Sequence, residues 1–132
     1  MNPPLILIDT SVWINAISKK ADEKLKMIFE TLLLEQRVAT TPLIKMELLG
    51  GTLDKKEFFH LSEELQALHQ LDFTPKIWNY ASELGFSLRR KGLKIPNTDL
   101  LLAATTLIYR CPLWHQDKHF ELIAKHYPLK FY

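Results

Sequence analysis

Two aspartates follow short apolar segments that have the character of β-strands. Asp9 comes directly after LILI, and Asp117 comes directly after PLWHQ. A run such as LILI, apolar at every position rather than alternating, is typical of a parallel strand covered on both faces. Ligands of open parallel sheets usually bind beyond the carboxyl ends of the strands. Both carboxylates are therefore predicted to lie at the reactive edge of a sheet, where the backbone holds them in place.

Two more acids lie in helical contexts, and from the residues alone each has two interpretations. Asp99 begins DLLLAATTLIY, where it is either a site residue or a charge that suits a helix N-terminus, with Thr98 as the N-cap. Glu47 lies within PLIKMELLGG, where it is either a site residue or an exposed residue of one helical turn. The apolar neighbours do not choose between these alternatives.

The elements that must position these acids alternate between strand and helix patterns. Strands are predicted at 5–8, 37–40, 70–74, 112–116 and 129–132. Helices are predicted after the first strand through residue 17, and then at 21–36, 42–49, 54–68, 75–92, 98–109 and 117–126. Thr10 or Ser11 is predicted to cap the first helix, and threonine-proline pairs at 41–42 and 74–75 start two others. This order predicts an α/β fold, a three-layer α/β/α sandwich with a mostly parallel central sheet.

Length and composition bound the class of protein. A chain of 132 residues is predicted to form one domain, 1–132, with a buried core. Lysine and arginine number 17 against 15 acids, so the net charge of +2 favours a polyanionic partner only weakly. No apolar run approaches the roughly eighteen residues of a membrane span, and MNPPLILIDT has no signal-peptide features, so we expect a cytoplasmic protein. The single cysteine, Cys111, cannot form a disulfide within the chain.

Four segments, in this order along the chain, resemble the PIN-domain family and specifically its small bacterial and archaeal branch, the VapC-type toxin ribonucleases. The segments are LIDTSVWI, the glutamate of MELLGG, ASELGFSLRRKGLKIPNTDLLLAATTL, and WHQDKHFELIA. Together they cover essentially the whole chain. The resemblance implies a PIN-like fold and a divalent-metal-dependent endoribonuclease that hydrolyses RNA phosphodiester bonds as the toxin of a type II toxin-antitoxin pair.

The resemblance also implies which residues form the site. The positions that match the family's metal-binding and catalytic acids are Asp9, Glu47, Asp99 and Asp117, and the supporting positions are Ser11 and Thr98. The chemistry agrees, because Mg²⁺ and Mn²⁺ prefer carboxylate oxygens as ligands. Four acids in one site without a metal ion repel one another, and this repulsion is predicted to raise some of their pKa values.

Basic and histidine residues near these acids also have two interpretations. A cluster of four basic side chains precedes the Asp99 helix: Arg89, Arg90, Lys91 and Lys94. They are candidates for binding the phosphates of the RNA substrate, and the alternative is a solvated helix end that favours positive charge. His115 and His119 have the spacing of a zinc pair, but a strand is predicted to end between them, so we expect His119 near the rim of the site instead.

Partners and alternative functions follow from the same resemblance. It implies a cognate antitoxin and a homodimer, with no membrane partner. The apolar residues Trp13, Ile17 and 32–34 are candidates for the antitoxin surface, and buried packing is the alternative. The competing functions are a housekeeping RNA-processing nuclease and a PIN-like module that binds RNA or protein without cleaving. A receiver-like phosphorylation domain would need paired acids after its first strand, where this chain has only Asp9.

Overall fold

Short parallel strands and longer helices make up the chain in the computed structural model, which describes residues 3–132. The strands are β1 (Ile6–Ile8), β2 (Val38–Thr40), β3 (His69–Gln70) and β4 (Leu113–Trp114). The helices are α1 (Thr10–Ile17), α2 (Glu23–Leu34), α3 (Pro42–Gly50), α4 (Lys55–Gln66), α5 (Pro75–Arg90), α6 (Asn97–Tyr109) and α7 (Lys118–Ala124). None of the helices within residues 3–132 is both long and apolar enough to cross a bilayer.

The sheet has the strand order β3-β2-β1-β4, and every neighbouring pair is parallel. The chain steps from β1 to β2 to β3 through α1–α4, and then returns past β1 to β4 through α5 and α6. Because crossovers between parallel strands are right-handed, steps in opposite directions place their helices on opposite faces of the sheet. The packing agrees, since α1 contacts α2 and α3, while α5 packs along α6. The predicted three-layer sandwich is confirmed.

This topology creates a crevice at the carboxyl ends of β1 and β4. The connections that leave these two adjacent strands pass to opposite faces, which is the position where open parallel sheets bind ligands. Asp9 follows β1 immediately, and Asp117 lies three residues beyond the end of β4. The sheet therefore places both strand-end aspartates at the crevice.

Burial explains why β1 and α6 can hold site residues rigidly. All three β1 residues are fully buried, as their uniformly apolar sequence predicts. Helix α6 is buried from Asp99 to Thr106, so it is a core helix rather than an amphipathic surface helix. Asp99 is the single charged residue of α6, and it is only 8% exposed. A charge in such a position is costly unless another charged or hydrogen-bonding group compensates it.

Several predicted boundaries and caps are wrong, for identifiable reasons. Asp9, rather than Thr10 or Ser11, is the N-cap of α1, because its carboxylate accepts a hydrogen bond from the Ser11 N–H. Helix α6 begins at Asn97 after Pro96 without a side-chain cap, so Thr98 is not its N-cap. In contrast, the threonines of the pairs at 41–42 and 74–75 cap α3 and α5 as predicted.

The later strands are shorter than predicted. β3 covers His69–Gln70, so it begins one residue before the strand predicted at 70–74 and shares only Gln70 with it. The N–H of Leu71 makes the last bond to β2, and Thr74 already caps α5. The segment predicted at 112–116 pairs only over β4. The predicted final strand at 129–132 contributes one parallel bridge, between Leu113 and Phe131. In each case the available partner, rather than local composition, limits the ladder.

Candidate functional site

A cleft of about 370 Å³ lies beyond β1 and β4, and all four predicted acids line it. Its polar lining consists of Asp9, Thr10, Ser11, Glu47, Thr98, Asp99, Asp117 and His119. These side chains come from α1, α3, α6, α7 and the two strand ends. The structure thus brings together residues separated by more than one hundred positions in the chain, and it includes both predicted supporting residues, Ser11 and Thr98.

Asp9 is held by a hydroxyl that also links the two strand ends. The Ser11 Oγ donates to Asp9 Oδ2 at 2.6 Å, and the Ser11 N–H donates to the same oxygen at 3.2 Å. The backbone N–H of Gln116, from the segment after β4, donates to Ser11 Oγ at 3.1 Å. Asn15 and Gln116 add a side-chain hydrogen bond between the same two segments. Ser11 therefore fixes the Asp9 carboxylate and ties it to the loop that carries Asp117.

Glu47 enters the cleft from α3 as an exposed side chain. Its Oε1 accepts a hydrogen bond of 2.9 Å from the Thr10 Oγ1. The plainer interpretation of Glu47 as an exposed residue of a helical turn is therefore correct as to exposure. It is incomplete, because the carboxylate faces the other acids and not open solvent alone.

Asp99 and Asp117 converge on one imidazole. The Nδ1 of His119 lies 2.9 Å from Asp99 Oδ2 and 3.1 Å from Asp117 Oδ1. Because both partners are carboxylates, which accept hydrogen bonds, Nδ1 carries the proton and donates. One potential ligand atom from each of the three residues lies within 4.8 Å of the others. This is the tightest grouping of potential ligand atoms in the cleft.

The surroundings of Asp99 raise the pKa of its carboxyl. The pKa of its carboxyl is raised to about 6, mainly by burial and then by the nearby charges of Asp117 and, to a smaller extent, Asp9, while the hydrogen bond and charge of His119 oppose the shift. The predicted effect of repulsion among the acids is thus present at Asp99. A divalent cation would relieve the burial and repulsion that cause this shift.

The donor set fits a hard divalent cation. Four carboxylates meet in a cleft that is polar but partly enclosed, and at least one carboxyl is held in an unfavourable charged state there. Mg²⁺ and Mn²⁺ favour such oxygen donors and retain several waters. The residues that could hold the ion are Asp9, Asp99 and Asp117, with Glu47 as a direct or water-mediated fourth.

His119 was predicted only near the rim of the site, yet it contacts two of the acids directly. Its position two residues after Asp117, the N-cap of α7, explains why its backbone N–H donates to the cap carboxylate at 2.9 Å, but it does not fix the direction of the imidazole. The zinc-pair hypothesis is wrong. His115 lies 3.3 Å from Glu121 and packs against Phe120 instead, so the two imidazoles face different groups.

The basic cluster lies outside the acid cleft. Arg89 and Lys94 line a separate groove between α5 and α6. Arg90 packs over the Phe86 ring, and Lys91 donates to Ser87 Oγ at 3.3 Å. All four cations are exposed, in agreement with the solvated helix end, and a substrate role for them stays a prediction.

Cys111 is buried, and burial raises its pKa to about 11, so its thiol stays protonated at neutral pH.

Replacing Ser11 by alanine is expected to weaken the binding of a divalent cation in this cleft about ten- to one hundredfold, because Asp9 loses its shortest hydrogen bond and the Gln116 N–H loses its acceptor. The rise in Tm over a range of Mg²⁺ concentrations measures the loss of affinity. Ser62→Ala, in α4 away from the cleft, is the matched control. A Ser11→Ala variant that Mg²⁺ stabilises as strongly as wild type at every concentration would contradict this role.

Comparison with known proteins places this geometry in context. The profile of the PIN domain matches residues 6–126. Ribonuclease VapC1 of Methanocaldococcus jannaschii is 29% identical over 130 residues, which are 96% of this chain and 86% of that protein.

Solved structures share the whole fold. One such structure is VapBC2 from Rickettsia felis bound to a DNA fragment from its promoter. One of its chains superposes on this protein with a TM-score of 0.77 and 26% identity, covering 97% of both chains. A chain of DNA-bound VapBC from Salmonella typhimurium gives a TM-score of 0.79 at 19% identity, covering 98% of both, which supports the fold alone. Since the profile spans nearly the entire chain and the acids meet where that fold opens, this protein belongs to the PIN domain family.

Proposed function

We propose that this protein is a divalent-metal-dependent endoribonuclease and the toxin of a type II toxin-antitoxin pair. The observation that carries the proposal is the convergence of Asp9, Glu47, Asp99 and Asp117 on one cleft at the carboxyl ends of adjacent parallel strands. The relatives support it, because one of them is named a ribonuclease and another is a chain of a VapBC structure. We further propose Mg²⁺ or Mn²⁺ as the cofactor, and RNA as the substrate.

In this proposal each residue has a physical task. When bound, the cation supplies positive charge that polarises a phosphodiester and lowers the pKa of a nearby water. Asp9, Asp99 and Asp117 would hold it, and Glu47, the exposed acid, would either share in that task or orient a water molecule. Ser11 and Thr10 keep Asp9 and Glu47 in place through hydrogen bonds. His119 donates to Asp99 and Asp117 and so holds these two carboxylates at a fixed separation.

Incubation of total RNA with the purified protein tests the proposal directly. We expect discrete fragments in the presence of Mg²⁺ or Mn²⁺ and none in EDTA, because without a cation the four carboxylates of the cleft repel the negatively charged phosphodiester. Any co-purified antitoxin must first be removed. Intact RNA under all of these conditions would contradict the nuclease and favour the non-cleaving PIN-like module.

An apolar groove of about 600 Å³ supports an antitoxin partner. It is lined mainly by α1 and α2 side chains and by the segment before β3, including Trp13, Ile17, Phe29 and Leu33. Of the residues predicted for a partner surface, Leu32 is buried in the core, and Leu34 is exposed but lies outside the groove. Ile17 is 57% exposed within it, which suits burial by an apolar segment of another protein. The homodimer implied by the resemblance is also a proposal, which light scattering of the purified protein tests.

Replacing Ile17 by aspartate is expected to abolish protection by the antitoxin without abolishing toxicity. The side chain is exposed, so the fold tolerates the change, but a charge in the groove opposes docking of an apolar segment. Expression of wild type should arrest growth, and the product of the adjacent gene should relieve that arrest. The Ile17→Asp variant should arrest growth despite the adjacent gene product.

Leu34→Asp is the matched control, because Leu34 is 85% exposed on α2 and does not line the groove. Relief of arrest for both variants would contradict the groove as the antitoxin site. Absence of growth arrest on wild-type expression, together with cleavage of RNA in vitro, would favour the housekeeping nuclease.

A further inference from the structure

Helix α5 presents an unusual outer face. Its residues Trp78, Ser82, Phe86 and Arg89 follow one another at about one helical turn, so they lie on the same side. Trp78 is 54% exposed and Phe86 is 67% exposed. The opposite side of α5 already supplies the residues that pack into the core. Packing of the core therefore does not explain two large aromatic side chains on this face.

These aromatic residues border a groove of about 410 Å³ between α5 and the segment that leads into α6. The two rings are eight residues apart, or about 12 Å along the helix axis. Between them the helix contributes Ser82 and Gly85 to the lining, and these small residues leave space between the two rings. A Cβ on Gly85 would lie 2.8 Å from Leu100 Cδ1, so the glycine also allows α5 and α6 to approach closely. The groove therefore offers two rings with open space between them.

The charge around the groove has one sign. Arg89 and Lys94 line it, and the guanidinium of Arg90 lies 5.7 Å from the centre of the Phe86 ring. Among the residues that the structure describes, no aspartate or glutamate lines it. Within residues 3–132, none of the cations in the basic cluster forms an ion pair with a carboxylate. Exposed aromatic rings beside unneutralised cations are the combination that binds single-stranded nucleic acid, through stacked bases and phosphates.

The groove adjoins the acid cleft across a single helical turn. At the start of α6, Asn97 and Leu100 line the groove, whereas Thr98 and Asp99 line the acid cleft. An α-helix with its side chains is about 10 Å wide, so a strand that leaves one side of this turn reaches the other within a few nucleotides. We propose that this groove binds the single-stranded segment of RNA next to the scissile phosphate, with bases stacked on Trp78 and Phe86 and phosphates on Arg89 and Lys94. The proposal rests on the proposed ribonuclease function.

Binding in EDTA tests the groove separately from catalysis, because the RNA is then not cleaved by a metal-dependent site. The probe is a fluorescein-labelled single-stranded RNA of mixed sequence, about twenty nucleotides long, which exceeds one binding site. Fluorescence anisotropy should show Kd raised about fivefold or more in Trp78→Leu and in Phe86→Leu, which keep apolar bulk but lose the ring. Trp78→Phe should retain most of the affinity. Phe59→Leu, an aromatic residue 62% exposed on α4, is the matched control and should bind as wild type.

The cationic part of the groove is tested by salt dependence. Removing two phosphate contacts from a single strand lowers the slope of log K against log salt concentration by about 1.4. We expect this change in the double variant Arg89→Ala/Lys94→Ala. The double variant Lys55→Ala/Lys56→Ala removes the same charge from exposed positions on α4 and should leave the slope unchanged. Equal slopes for wild type and both double variants would overturn the phosphate contacts.

Cleavage and oligomeric state separate the remaining outcomes. With Mg²⁺, Trp78→Leu should raise KM for the same RNA by a factor similar to its effect on Kd, rather than lower kcat.

If wild type cleaves RNA and both leucine variants bind and cleave as wild type does, the groove proposal is overturned while the proposed function survives. If wild type never cleaves but the leucine variants lose affinity, the proposed function fails and the groove is supported. A shift from dimer to monomer with unchanged RNA affinity would assign this face to a second copy of the chain and overturn the proposal.

Discussion

Replacement of Asp99 by asparagine is expected to lower the rate of RNA cleavage by about a thousandfold while the protein remains folded. Asparagine has nearly the same shape, but it removes a charge from the tightest group of potential metal ligands, Asp99, Asp117 and His119. Losses of one hundred- to a thousandfold are usual when one preorganised group that stabilises charge in the transition state is removed. Fragment yield per unit time from total RNA, with Mg²⁺ at fixed concentration, measures the effect.

The same variant has a second, opposite consequence that shows its fold is intact. In metal-free protein at pH 8 the Asp99 carboxylate is ionised although its pKa is raised to about 6, so its charge is held at a cost. Asparagine removes that cost, and Asp99→Asn should unfold at a higher temperature than wild type in EDTA. Asp72→Asn, at an exposed acid outside the cleft, should change neither activity nor stability. An Asp99→Asn variant that is folded and fully active would remove this carboxylate from the mechanism.

Part of this site can be predicted from the sequence, because the sequence pattern marks where the first strand ends. A uniformly apolar run followed by aspartate locates β1 and the crevice position of Asp9, and the buried strand is found within one residue of its predicted start. For Asp99 and Glu47 the residues leave two interpretations open, and only the resemblance to PIN domains chooses between them. The structure shows that both interpretations of Asp99 hold, since it lies in the first turn of α6 and also lines the acid cleft.

Other features depend on contacts that periodicity does not encode. His119 reaches Asp99 across twenty residues, and no spacing within α7 reveals which way its imidazole turns. The sequence predicts a hydroxyl cap for α1, but Asp9, one residue earlier, takes the N-cap position and its carboxylate accepts from the Ser11 N–H. Because Ser11 is not the N-cap, its Oγ is free to donate to Asp9. The use of Asp9 as the cap therefore allows Ser11 to hold the Asp9 carboxylate in place.

Divalent metal is expected to stabilise the protein strongly at pH 7.5 and much less at pH 5. At a Mg²⁺ or Mn²⁺ concentration about one hundred times the Kd, binding adds about 2.7 kcal/mol to the free energy of unfolding. For a chain of this size that is a rise in Tm of about 8 °C. The sign of the pH effect follows from Asp99, whose pKa is raised from its ordinary value of 3.8 to about 6. As a raised carboxyl, it contributes stability to the metal-free fold below its ordinary pKa and loses that contribution as the pH rises through 6.

Metal requires the ionised carboxylate, so protons compete with it below pH 6. At pH 5 Asp99 is about nine-tenths protonated, the apparent affinity falls about tenfold, and the gain at the same metal concentration falls to about half. Thermal unfolding with metal and with EDTA at each pH isolates this difference from all other pH effects. Asp99→Asn should gain little at either pH, whereas Asp72→Asn should behave as wild type. An equal rise in Tm at pH 5 and pH 7.5, or a full rise in Asp99→Asn, would show that the cation binds elsewhere than at this buried carboxylate.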